Sequence, residues 1–190
     1  MINKIPRDVC LIKYRKFPLY AFDAEIDDHI FYYPKIHFHY WIKLPDNTKT
    51  LSSQLHKLYQ YLNIEYLVFM CDYNRMWISK FTEQRNDSKK LTEAVNYFKS
   101  YKIGNRFNGG VKVEISQLEE FIKHVFTITV CDASFANYHF INEEQKILGF
   151  IHYSGEVRID ILDKNANEIF LNEISKTKFI NVIREHTDKI

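Results

Sequence analysis

Residues 64–81 read IEYLVFMCDYNRMWISKF, and the reading of this stretch decides how the rest of the chain is arranged. From 64 to 71 the run is almost unbrokenly apolar, the pattern of a strand covered on both faces rather than one. Asp72, Tyr73 and Asn74 then supply turn residues, and RMWISKF is rich in aromatic and branched side chains. The spacing therefore predicts a second strand over 75–81 and a hairpin at the centre of a sheet.

Working outward, residues 36–43, IHFHYWIK, alternate strictly. Ile36, Phe38, Tyr40 and Ile42 share one face, and His37, His39, Trp41 and Lys43 the other, which predicts a half-buried strand. Between the two strands Leu51, Leu55, Leu58 and Leu62 recur at helical spacing, with Thr50 placed to cap the helix and Asn63 to stop it. Beyond the hairpin, Leu91, Val95, Phe98 and Lys102 mark a second amphipathic helix starting near Ser88. GNRFNGG, with three of the five glycines, then leads into an alternating strand at 111–115. Strand, helix, strand, strand, helix, strand is the element order of a ferredoxin-like domain. The fold class expected is thus α+β, with a ferredoxin-like βαββαβ arrangement in the first 115 residues, its two helices on one face of the sheet.

At the N-terminal end, residues 9–17 suggest a strand that Pro18 ends, followed by a loop carrying Asp23, Glu25, Asp27 and Asp28. At the C-terminal end, Ser116 and Glu119 form a capping box for a short helix, and 126–131 predicts a strand. SQL followed by Cys-Asp occurs at 53–72 and again at 116–132, a hint of duplication that chance explains nearly as well. Runs at 137–141, 146–153, 156–162 and 168–171, joined by turns such as Ser154-Gly155, predict an antiparallel meander. A last helix is expected over 173–186 with Phe179, Ile180 and Ile183 on its packing side. The chain divides on this reading into 1–34, 35–115 and 116–190, the last two able to form one continuous domain.

Composition limits the function classes. With 28 Phe or Tyr residues but only nine Gly or Pro in 190, the chain can fill a core and has no compositional case for disorder. No apolar run approaches a membrane span, and charge interrupts the N-terminal residues before a signal-like segment forms, so a cytoplasmic protein is expected. Cys10, Cys71 and Cys131 are odd in number and widely spaced, which suits reduced, buried thiols. The net charge of +2 conceals nine basic and three acidic residues between Arg75 and Lys112.

No motif for nucleophilic catalysis, phosphate loops or dinucleotides occurs, and His37-x-His39 lacks a nameable third metal ligand. No enzyme activity, cofactor or metal is therefore expected. What remains is a surface. His37, His39 and Trp41 from one strand, Trp77 and Phe81 from another and Lys112 from a third would share the sheet face away from the helices, with Arg75 and Arg106 nearby. A Tyr- and Trp-rich surface with interspersed charge suits a protein partner, as in inhibitors or immunity proteins that occlude a toxin or nuclease. The alternative is RNA or another nucleic acid, stacked on the same aromatics and held by the basic belt.

Overall fold

The structure is a computed structural model, and it describes residues 1–45, 48–135 and 138–181. In chain order its elements are β1 (Ile2–Ile5), α1 (Arg7–Lys13), β2 (Leu19–Asp23), β3 (Asp28–Tyr32), β4 (Phe38–Lys43), α2 (Leu51–Tyr61), β5 (Tyr66–Cys71), α3 (Lys80–Gln84), α4 (Lys89–Ser100), β6 (Gly110–Glu114), α5 (Ile115–Cys131), β7 (Tyr138–Asn142), β8 (Ile147–Ile151), β9 (Val157–Ile161), α6 (Ala166–Ile174) and β10 (Ile180–Asn181). Eight strands form one sheet in the order β1-β6-β5-β7-β8-β9-β4-β10, and β2 pairs only with β3. Every pairing in both sheets is antiparallel. The chain is thus mixed α+β, as expected. No helix among the described residues is long and apolar enough to cross a membrane.

β5 is the strand both cores share, which is why its sequence is an apolar run. Leu67, Phe69 and Cys71 enter the larger core, beside Leu55 of α2, Phe98 of α4 and Phe121 of α5. The alternate residues Val68 and Met70 enter a smaller core with Cys10 of α1, Tyr14, Phe17, Ile141 and Leu148. Residues that alternate along a strand face opposite sides of its sheet, so burial on both sides demands apolar residues throughout. The second face is covered by the N-terminal segment, and the meander, instead of lying over a face, extends the sheet.

The second strand of the expected hairpin does not form. Both edges of β5 are occupied by distant segments, β6 on one side and β7 on the other. Trp77 and Ile78 are both buried, but in a connection rather than a strand. Trp77 instead donates its backbone N–H to Phe107 O and its indole Nε1 to Gly109 O, both at 2.8 Å. Ser79 then caps α3, its hydroxyl accepting the Thr82 N–H. A ferredoxin-like arrangement is accordingly not confirmed, and β4 lies between β9 and the edge strand β10, four strands from β5.

Other differences share one cause: helical period or tertiary packing overrode local preference. Residues 126–131 belong to α5, where Leu118, Phe121, Ile122, Val125 and Ile128 hold a single buried face. Thr127 and Thr129 fit that helix by returning their hydroxyls to Lys123 O and Val125 O. The second SQL…CD unit is therefore helix without a trailing strand, and the duplication has no structural counterpart. Residues 7–13 are helix rather than strand, and 168–171 lie in α6, where Phe170 packs on Tyr40. The helix expected at 173–186 ends at Ile174, and Ile180 pairs with Lys43 as a strand. Asn137, Ile183 and His186, which those expectations included, lie outside the described residues.

Candidate functional site

Residues 17–34 contain four carboxylates and no Lys or Arg. They build a two-stranded arm, β2 and β3, separate from the main sheet. The root of the arm is fixed firmly. Tyr20 donates its backbone N–H to Asp72 O at 3.1 Å, and its ring stacks on Tyr73 and on Phe31 with centroids 4.2 and 4.3 Å apart. Tyr33, just past β3, donates its hydroxyl to Asp160 Oδ2 at 2.6 Å.

The outer part is built differently. Phe22 and Ile26 are 56 and 60 % exposed, and Phe31 and Tyr32 nearer the root are 40 and 53 % exposed, so the arm carries apolar area that the described residues leave partly open. Asp23 and Asp28 sit directly opposite each other in the register. Like charges in such a cross-strand pair are destabilising. No ion pair offsets them: among the described residues none of Asp23, Glu25, Asp27 or Asp28 has a basic partner within salt-bridge distance. Asp23 Oδ1 accepts the Glu25 N–H and Asp28 Oδ1 the His29 N–H, bonds that shape the turn without neutralising either charge.

Beneath the arm the sheet holds a buried polar cluster. Asp160, fully buried, accepts Arg158 Nε at 2.9 Å as well as the Tyr33 hydroxyl. Burial, and then the adjoining Asp160 carboxylate, push the Tyr33 hydroxyl well above the usual phenol range. His139 Nε2 lies 3.7 Å from Asp72 Oδ2. Arg7 reaches in from α1 to donate to Cys71 O and Asn108 O at 3.1 and 3.4 Å. Burial raises the Cys10 and Cys71 thiols to about 12, so at neutral pH both are protonated thiols rather than thiolates. The cluster joins the arm, α1 and the sheet into one body.

The residues singled out from the sequence are only partly brought together. His39 and Trp41 do lie on the face opposite α2, α4 and α5, beside Asp160 and Arg158, with His37 at the entry to β4. Trp41 packs edge-on against Phe150 at 5.5 Å. Lys112 shares that face, where its Nζ sits 3.8 Å from the Tyr66 ring centroid. It is five strands from β4, however, about 24 Å away at ordinary strand spacing. Trp77 is 1 % exposed and belongs to the core. Phe81 is exposed on α3, Arg106 is exposed in the 101–109 connection, and Arg75 lies over the Tyr73 ring at 4.6 Å. The stacking platform on which a nucleic-acid reading depends is not assembled, because Trp41, Trp77 and Phe81 occupy three different places. Among the described residues no group of three or more His, Cys, Asp or Glu is placed to hold a metal ion.

The acidic loop expected at Asp23 to Asp28 is the tip of this arm, flanked by strands the sequence reading does not predict. Their signal is present as two apolar runs, LYAF and HIFYY, around the acidic turn, but the turn lacks the Asn-Gly or Asp-Gly pair that marks a two-residue hairpin. Comparison with protein-family models, curated proteins and solved structures finds no match to this chain.

Proposed function

We propose that this is a non-enzymatic binding protein that occludes a protein partner, an inhibitor or immunity-type protein, and that the β2–β3 arm is the element that enters the partner. The observation that carries the reading is the pairing of Asp23 with Asp28 on an arm with exposed Phe22, Ile26, Phe31 and Tyr32 and no cation of its own. Apolar area supplies affinity, and uncompensated carboxylates select a basic surface and speed encounter with it. A nuclease or toxin that itself holds polyanions presents such a surface. The firm root supports the same reading, because an arm already in its bound shape loses little conformational entropy on docking. Free cysteines at 10, 71 and 131 agree with action in a reducing compartment such as the cytoplasm.

The test compares the natural chain with a double variant, Asp23→Lys with Asp28→Lys, as baits in native lysate. Stoichiometric recovery of a basic protein by the natural chain, lost in the variant and weakened by added salt, is the expected result. Equal recovery by both baits would falsify the role of the arm, and no stoichiometric partner for either would remove the binding reading.

A further inference from the structure

The face of the sheet that bears the arm also bears α1, and the two carry opposite charge. Residues 1–16 hold five Lys or Arg against one Asp, whereas residues 17–34 hold four carboxylates and no Lys or Arg. α1 lies on that face because Cys10, with Tyr14 just past the helix, packs on Val68, Met70, Ile141 and Leu148, the same small core that Tyr33 joins at the root of the arm. Gln145 fixes the far end of α1, its side chain accepting the Lys16 N–H and donating Nε2 to Lys13 O, both at 3.2 Å.

The outer side of α1 is both apolar and basic. Val9 and Ile12, three residues apart and so neighbours on the helix surface, are 47 and 69 % exposed. Lys13 and Arg15 are exposed beside them, and neither has a carboxylate partner among the described residues. Lys13 Nζ lies 5.3 Å from the Tyr14 ring centroid, and Arg15 donates Nε to Ile12 O. The arm is the complement, with its carboxylates set around exposed Phe22 and Ile26. Within one chain the two do not pair: no salt bridge among the described residues joins 1–16 to 17–34.

We propose that the chain self-associates as a two-fold dimer in which the arm of each copy lies along α1 of the other, carboxylates toward Lys13 and Arg15, Phe22 and Ile26 on Val9 and Ile12. One face that carries both halves of a complementary pair is self-complementary, and a two-fold axis makes both contacts at once. An anionic partner would cover α1 and be repelled by the arm beside it, and a basic partner covers the arm and leaves α1 open. A second copy covers both. The inference rests on the reading of the arm as the docking element, and adds what holds that element until a basic partner displaces it.

The test is sedimentation velocity of the purified full chain. A dimer with a dissociation constant of about 10 µM at low salt, weakened as salt is added, is the expected result. Lys13→Glu with Arg15→Glu should be monomeric, as should Asp23→Lys with Asp28→Lys. Mixing the two variants should restore a dimer, because each then meets the charge it lacks, and misfolded chains would not show that rescue. Ile12→Ala, which removes no buried contact of the single chain, should weaken the dimer by about tenfold. A single monomeric species at about 200 µM and low salt overturns the proposal and leaves the arm and α1 to foreign partners. A dimer that persists in either charge-reversed variant overturns it too, as does a mixture that stays monomeric. The α1 variant keeps its arm, so it should still recover a basic protein from lysate. A monomeric natural chain that does so would refute the dimer and keep the function, and a dimer without such recovery would do the reverse.

Discussion

The Tyr33 hydroxyl and Asp160 Oδ2 are 2.6 Å apart, a bond between the root of the arm and a carboxylate with no solvent exposure in β9. With the Arg158 contact it satisfies the two oxygens of Asp160 separately, one each. Removing one donor strands a buried charged acceptor, and that is more costly than losing an exposed bond. Tyr33→Phe should therefore lower stability by about 1–3 kcal/mol in a urea titration. Hydrogen exchange should quicken in β2 and β3 more than in β5. Uniform exchange across both sheets would show that Tyr33 does not anchor the arm.

The two tryptophans should separate clearly. Trp77 is buried among Phe98, Phe121, Phe135 and Tyr138, with ring centroids 4.3 to 6.2 Å away, and its indole N–H is bonded to Gly109 O. Trp77→Ala should cost about 3–5 kcal/mol, as large-to-small core substitutions do. Trp41 is only half-buried, so Trp41→Ala should cost less than half of that. Thermal denaturation of both variants checks the order, and equal losses would contradict the assignment of Trp41 to the surface.

Which parts of this fold could be read in advance follows from which signals are local. Helices α2 and α4 and strands β4, β6 and β9 were legible because their apolar residues repeat at the period of the element, and β5 because it is an unbroken apolar run; Ser88 does cap α4 through the Leu91 N–H. The strand order was not legible, because β5 is paired by segments that begin 44 and 72 residues after its own start, Gly110–Glu114 and Tyr138–Asn142, and nothing in 64–71 names them. RMWISKF misled because an apolar run serves a core loop as well as a strand, and the Ser79 cap was the local evidence against a strand. Of the candidate surface, the outward position of His39 and Trp41 was read correctly from alternation. The arm was missed because an acidic turn without glycine resembles a solvated loop.

The cysteines give a pH-dependent test. Burial lifts Cys10 and Cys71 from 9.0 to about 12, whereas Cys131 is half-buried near the end of α5. Iodoacetamide at pH 8 should label Cys131 first, read by peptide mass spectrometry. Because the folded-state values are raised, the neutral thiols contribute stability that is complete below pH 9 and is lost as pH rises through about 12. Each thiol should contribute a slope of about 1.4 kcal/mol per pH unit in that window. Cys10→Ala should flatten the alkaline fall in the urea midpoint. An unchanged slope would mean that Cys10 ionises freely in the folded chain.

The clearest signature of the arm is that its charges should work against the isolated protein. Asp23 and Asp28 face each other with no cation paired to them among the described residues, so a basic partner of the kind proposed would relieve their repulsion. Asp28→Asn removes one charge and keeps the side-chain oxygen that accepts the His29 N–H. It should raise stability by about 0.2–1 kcal/mol, the size of a cross-strand charge effect. The gain should shrink as salt is added, because exposed charges a few ångströms apart are screened. The same substitution should slow association with a basic partner, as loss of a steering charge does. Thermal denaturation at low and high ionic strength reads the first effect without any partner in hand. A variant that is less stable than the natural chain at low salt would show that Asp28 serves the fold of the turn, and would remove the main support for the arm as a docking element.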